Sequence, residues 1–417
     1  LVLTIWVLLL AAFFQVRFGL LTLWHPAVLL WWLGIVPSVF PLYFYTGFDV
    51  GVAYHSYNAD LLWMISLSSL AWGIHLASPS VERRTPYFKV SGLGRTAITR
   101  VLVAGFVLIS ISIAAYAVLY ARNGNAYLSD NPEAQRVVQA SGSGLIGTVG
   151  FTTLILASIL LPAGVTALRR RRMIAGVFGF LLMACALMLL SVTGGRTILL
   201  RAVLVVAIIL VTARGWTIRP SFLLALGSII LALIAVLGSL RYHGEAQSPL
   251  LGLLQRLSVD PQVAGAIVSL PGTSGYWHGQ ALLSSFAVYL PGSNPALGDI
   301  LKNVLLLSFS GGGVSTPLPA EAFLDFGWLG VFAYPFLAGI TIGLLLQWTR
   351  GRSPLARLLM EMSVGVAFSG LMGGLGVTLA LYALPQFAVS VAALSLFGLW
   401  ARGESETRTR TDASGTP

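Results

Sequence analysis

Apolar runs the length of a bilayer's hydrocarbon core follow one another along this chain and leave it little choice of fold. A helix needs about 20 predominantly apolar residues to cross that core. Inside it, only a helix or a closed barrel satisfies its own backbone. About eleven segments meet the requirement: 1–16, 27–46, 59–78, 99–120, 146–168, 173–192, 197–213, 220–240, 326–348, 355–373 and 376–399. The last two are separated only by a Gly-rich turn near "MGGLG". The chain is 57% hydrophobic and 9% charged, against about 25% charged in a soluble domain. The expected fold is therefore all-α and polytopic, with residues 1–400 as a single transmembrane domain and 401–417 as a polar, disordered tail.

Loop charge sets the orientation. With Arg83, Arg84, Lys89 and Arg95 in the cytoplasm, alternation brings the 169–172 arginine run to the same side. Arg214, Arg219, Arg350, Arg352, Arg357 and the tail join them. The opposite side holds more acids than bases, which puts the N-terminus outside and the C-terminus inside. The single cysteine, Cys185, lies in an apolar run and reads as a small buried hydrophobe. It excludes an internal disulfide and a cysteine zinc site. There is no internal repeat of the kind many transporters show.

Three external segments stand out: 121–145, the "TGGRT" turn at 193–197, and the long loop 241–325. The loop alternates apolar stretches such as "PLLGLLQRLSV" with turn-rich ones such as "LPGSNP". It is too apolar for a free linker, so short interfacial or re-entrant helices are expected in it.

Topology and anionic lipid account for the cytoplasmic arginines. The external ones ask for another reason. Arg196 opens the seventh span, Arg201 lies about 7 Å deeper, and Arg241 closes the eighth. An arginine at bilayer depth costs at least about 2.5–3.5 kcal/mol. Arg196 and Arg201 point about 140° apart on a helix, and Gly194-Gly195 would let Arg196 fold over an adjoining cavity. A Gly-Gly turn before a helix also offers free N–H groups at a positive dipole end. The matching ligand is a phosphate or diphosphate at headgroup level, gripped by guanidinium forks. The competing reading is snorkelling to lipid phosphates. Arg256, in an amphipathic stretch, divides evenly between the two, and Arg136 reads as a solvated face.

His243, beside Tyr242 in "LRYHGEAQ", and His278, in "GTSGYWHGQ", are candidate general bases. Glu321 and Asp325 stand at i and i+4, on one helix face where the ninth span begins. Either the dipole of their own helix accounts for them, or they serve as a base for a sugar hydroxyl or as partners of the arginines. No Walker, zincin, nucleophile-elbow or Cys/His metal spacing occurs, and no metal or cofactor is expected.

These residues resemble a family. "TGGRTILL" is similar to the Ser/Gly-x-Arg-x motif of the oligosaccharide repeat-unit polymerases, the Wzy-type O-antigen polymerases. "YLPGSNPALGD" resembles their external Pro-rich segment, though without its Arg and Trp-Pro. "SGGGVSTPLPAEAFLDFGWLGVF", Ser310 to Phe332, resembles their Thr-Pro, Glu-Ala and Phe-Gly-x-x-Gly signature leading into a span. The resemblance implies a fold related to GT-C glycosyltransferases. It also implies polymerisation of polyprenyl-diphosphate-linked oligosaccharides at the outer face of the inner membrane.

On that reading Arg196, Arg201, Arg241 and Arg256 hold the diphosphate, and Glu321 or His243 takes the acceptor proton. Tyr242, Tyr276, Trp277, His278 and Asp325 meet the sugars. Expected partners are the lipid-linked substrate, membrane lipids, a flippase and a chain-length regulator, with no nucleic acid. Rival readings are an O-antigen ligase, a non-enzymatic transporter or flippase of lipid-linked glycans, and a metal-dependent phosphosugar transferase.

Overall fold

The computed structural model describes residues 5–6, 9–10, 12–13, 57–78, 95–124, 144–167, 173–191, 196–213, 264–268, 270, 275–289, 297–305, 316–349 and 352–400. Among these, every regular element is helical. In chain order they are α1 (Tyr57–Ala77), α2 (Arg95–Asn123), α3 (Gly144–Ala167), α4 (Met173–Ser191) and α5 (Arg196–Ala213). There follow the short α6 (Gln280–Ser284), which runs into a 3₁₀ turn at Ser285–Tyr289, and α7 (Leu297–Val304). The last are α8 (Leu318–Thr349), α9 (Pro354–Phe368) and α10 (Leu375–Leu396). A π-helical segment, Thr378–Ala383, lies within α10. By length and composition, four described helices can cross a membrane: Thr96–Arg122, Gly144–Ala167, Leu318–Thr349 and Leu375–Leu396. The chain is a membrane protein. The anticipated spans 27–46 and 220–240 lie outside the described residues.

Lipid offers no hydrophobic drive for helices to associate, so close backbone packing does much of the work. Helices α1 and α8 meet through small residues in matching register. A Cβ on Gly73 would stand 2.9 Å from the Ile340 nitrogen, and one on Gly339 would stand 2.9 Å from the Ile74 nitrogen. One turn further on, a Cβ on Gly343 would stand 2.5 Å from the Ala77 Cβ. The two helices therefore run in the same direction. Helices α2 and α3 run opposite: Gly105 packs against Leu161, while Gly164 packs against Leu102. The Ser112 hydroxyl donates to the Gly150 carbonyl at 2.9 Å to close that contact.

Two apolar cores result. One joins α2, α3 and α5 to α9 and α10, and the other joins α1 and α8 to the same two helices. Helices α9 and α10 are thus the shared wall. The segment 264–268, α6 and α7 supply a third, small cluster that packs on Ala320 and Leu324 at the start of α8. Short helices do occur in the 241–325 loop, as anticipated. Cys185 departs from expectation. It is exposed, on the outward stripe of α4 that also carries Val177, Leu181 and Met188.

Helix α8 is broken near its start. Phe326 and Gly327 leave helical geometry, and Gly327 takes φ +61°. A side chain there is opposed twice, by that backbone angle and by the Tyr276 phenol, 2.8 Å from where a Cβ would lie. At Gly330 a Cβ would collide with the Ala322 carbonyl across the bend. The Phe-Gly-x-x-Gly pattern is therefore a kink that sets residues 318–325 apart from the rest of the helix. The ninth span, read as beginning at 326, falls within a helix that starts earlier, at Leu318.

Candidate active site

The kink presents two buried carboxylates to other parts of the chain. Asp325 is fully engaged. Its Oδ1 accepts the Ala281 N–H at 2.9 Å, and its Oδ2 accepts the Leu282 N–H at 3.1 Å and the Tyr334 hydroxyl at 3.0 Å. Asp325 thus caps the N-terminus of α6. The Leu324 and Asp325 carbonyls accept the Trp277 and His278 N–H groups, each at 3.0 Å. Backbone groups beside the break are thereby paired, and the 275–289 segment is pinned to α8.

Glu321 is 1% exposed and reaches the start of α10. Its Oε1 accepts the Gly376 N–H at 2.9 Å. Its Oε2 crowds the α-carbon of Gly374, which has φ +104°. Around Gly376, a Cβ would stand 2.6 Å from the Leu282 carbonyl, 2.8 Å from Ser285 Oγ and 2.9 Å from Glu321 Oε1. Only glycine admits so many oxygens at that distance. Glu321 Oε2, Ser285 Oγ, Thr316 Oγ1 and Thr378 Oγ1 are buried without a hydrogen-bond partner among the described residues. Buried polar atoms are nearly always paired, and Ser285 and Glu321 are brought together by their shared approach to Gly376.

The dipole of α8 was one account of this carboxylate pair. Glu321 does stand in the first turn of α8, and the geometry adds that Glu321 and Asp325 each accept from the N-terminus of another helix, 55 and 44 residues away in sequence.

Across α10 lies Arg201. It is 7% exposed, with its guanidinium carbon 5.3 Å from the centroid of the Tyr382 ring. Its Nη1 is buried and has no hydrogen-bond partner among the described residues. No carboxylate pairs with it among them. Tyr382 stands on the same helix as Gly376, six residues further along. The cation and the carboxylate therefore serve one helix, near one end of the bundle.

The other anticipated site residues are placed as follows. Arg196 begins α5, and its side chain lies outside the described residues, as do Arg241, Tyr242, His243 and Arg256 entirely. His278 is exposed, with φ 50° and its ring 6.3 Å from that of Phe326. Tyr276 is exposed and stands edge-to-face with Phe323 at 6.2 Å. Trp277 is half-buried against the loop cluster.

Thr316, Ser285, Gly374, Gly376, Thr378 and Tyr382 join the site although sequence reasoning passed over them. The glycines carried a usable signal. "GGLG" before an apolar helix is the same Gly-Gly and helix-N-terminus pattern as "TGGR". Here it receives a carboxylate from within the chain.

A family model described as "Putative O-antigen polymerase" matches residues 61–359. The match takes in Arg201, Glu321 and Asp325 and ends within α9, before the start of α10. No curated protein and no solved structure matches the chain.

Proposed function

The chain belongs to the O-antigen polymerase family, and from that premise we propose that it joins polyprenyl-diphosphate-linked oligosaccharide repeat units by metal-independent glycosyl transfer. The reaction takes place at the outer face of the inner membrane. The supporting observation is Arg201, a buried cation with an unpartnered Nη1, one helix away from a buried carboxylate with an unpartnered oxygen.

The growing glycan is held on its polyprenyl diphosphate. A hydroxyl of the incoming repeat unit attacks the anomeric carbon. The bond from that carbon to the diphosphate oxygen breaks, and the diphosphate leaves with the electron pair. Arg201, Arg196 and Arg241 stabilise the charge that develops, with Arg256 beside them. Oriented donors of this kind are each worth about 10²–10³ in rate. Glu321 accepts the hydroxyl proton through Oε2, and His243 is the alternative acceptor. Tyr242, Tyr276 and His278 meet the sugars. Asp325 has its oxygens taken by Ala281, Leu282 and Tyr334, so it contributes by holding the loop that covers the site.

The wider setting belongs to the same proposal. Residues 1–400 form one GT-C-like domain of about eleven spans, with the N-terminus outside, the C-terminus cytoplasmic and 401–417 a disordered tail. The Gly374 end faces outward. A flippase delivers the repeat units and a chain-length regulator acts on the product.

The test is polymerisation in nanodiscs with EDTA present, using purified polyprenyl-diphosphate repeat units and a gel readout. A product ladder from wild type and from Arg350→Ala, lost in Arg196→Ala and Arg201→Ala, is the expected result. A normal ladder from both outer variants, or none from wild type with several repeat units, overturns the proposal.

A further inference from the structure

Tyr382 lies beyond the family match and within the π-helical segment Thr378–Ala383. A π turn is a costly irregularity that recurs at functional sites, and here its surroundings hold it from several sides. The Tyr289 hydroxyl, from the loop, donates to the Ala380 carbonyl inside the segment. The Tyr382 ring stands edge-to-face with Phe151 of α3, with centroids 5.1 Å apart. On another side the chain runs close, and a Cβ on Gly370 would stand 3.0 Å from Tyr382 Cδ2 and 3.2 Å from Thr378 Oγ1. The ring is fixed before any ligand arrives. Over it lies Arg201, held at 5.3 Å with Nη1 left unpartnered. The Tyr382 side chain also hydrogen-bonds Arg201, so ring face and hydroxyl together fix where the guanidinium lies.

We propose that Tyr382 is the positioning residue of the anion site, its ring holding the Arg201 guanidinium so that Nη1 is presented to a phosphate oxygen of the lipid diphosphate. This rests on the reading of Arg201 as a diphosphate ligand. Tyr382 acts through Arg201 and does not touch the reacting atoms. The π segment carries Tyr382 and lies directly after the Gly374–Gly376 turn that holds Glu321. It therefore also sets the spacing between the cation and the carboxylate.

The probe is inorganic diphosphate, titrated against the full chain in nanodiscs and read as a shift in thermal unfolding. The panel is wild type, Arg201→Ala, Tyr382→Phe and Tyr382→Leu. Tyr382→Phe, which keeps the aromatic face but loses the hydroxyl, should bind closer to wild type than to Tyr382→Leu. Tyr382→Leu should bind about 10- to 30-fold more weakly, and Arg201→Ala should show no saturable shift. If Tyr382→Leu does not assemble, Tyr382→Met gives the same readout without an aromatic face. Binding by the Leu or Met variant equal to wild type, with Arg201→Ala defective, overturns the role of Tyr382 and leaves Arg201 as the ligand. Equal losses in Tyr382→Phe and Tyr382→Leu overturn the ring as the agent. Wild-type binding by Arg201→Ala overturns the diphosphate reading itself, and the role of Tyr382 with it.

Discussion

Where α8 gives way to α9, the charged and capping groups have partners. Arg357 meets Glu361 one turn on at 2.7 Å. Arg352 is exposed and lies 5.1 Å from the Trp348 ring and 5.0 Å from the Trp400 ring. Ser353 caps α9 through the Ala356 N–H, with Pro354 following at the first helical position. At the Gly374 end the polar groups are buried, their partners lie 43 to 55 residues away, and several atoms have no partner among the described residues. Both ends draw on distant contacts, since the Ser353 hydroxyl donates to the Leu399 carbonyl 46 residues on; what differs is the set of unpaired atoms at the Gly374 end, which the proposed function puts to use.

Substitutions at the two ends should separate them sharply. The largest effects belong to Arg201→Ala and Glu321→Gln, each expected to lower the initial rate of chain extension by about 10²–10³. Next is Gly374→Ala. A Cβ there collides with Glu321 Oε2, stands 2.8 Å from the Thr316 carbonyl, and must adopt φ +104°. Displacing a catalytic group by an ångström costs about 10²-fold, so the rate should fall by about that much while the protein still assembles.

Asp325→Asn sharpens the division between the two carboxylates. An amide cannot accept from Ala281, Leu282 and Tyr334 together, and about 2–3 kcal/mol of stability should be lost. Thermal unfolding and faster proteolysis in the 275–289 segment would show it. Gly327→Ala should cost about 1–3 kcal/mol through the strained angle at the kink, read from the same melts. At the other end, Arg357→Ala takes an i,i+4 partner from the buried Glu361 carboxylate, which should cost about 1–3 kcal/mol of stability and leave the rate of extension of the folded protein unchanged.

How much of this was legible beforehand depends on range. The runs 59–78, 146–168, 173–192 and 197–213 fall within a few residues of α1, α3, α4 and α5. A 20-residue apolar run has one stable form in lipid, and composition alone reveals it. The kink was half visible, because the Phe-Gly-x-x-Gly pattern was noticed without its geometry. The i,i+4 spacing of Glu321 and Asp325 placed them on one face but could not name their partners, which depend on how α6 and α10 pack against α8. "MGGLG" was read as a separator, although it holds Glu321. Tyr382 carried no signal, since a π segment leaves no periodic trace and its importance comes from Arg201, 181 residues earlier in sequence. Cys185 was misjudged because an apolar run does not say which of its faces meets the bundle.

The most direct test compares initial rates of chain extension in nanodiscs, at matched protein amounts, for wild type, Arg201→Ala, Glu321→Gln and Arg357→Ala. The account predicts near-complete loss in the first two variants and a wild-type rate in the third, with all four eluting as the same folded species. Equal rates in all four, or a loss in Arg357→Ala as deep as in Arg201→Ala, would contradict the claim that the Gly374 end is where the chemistry is done.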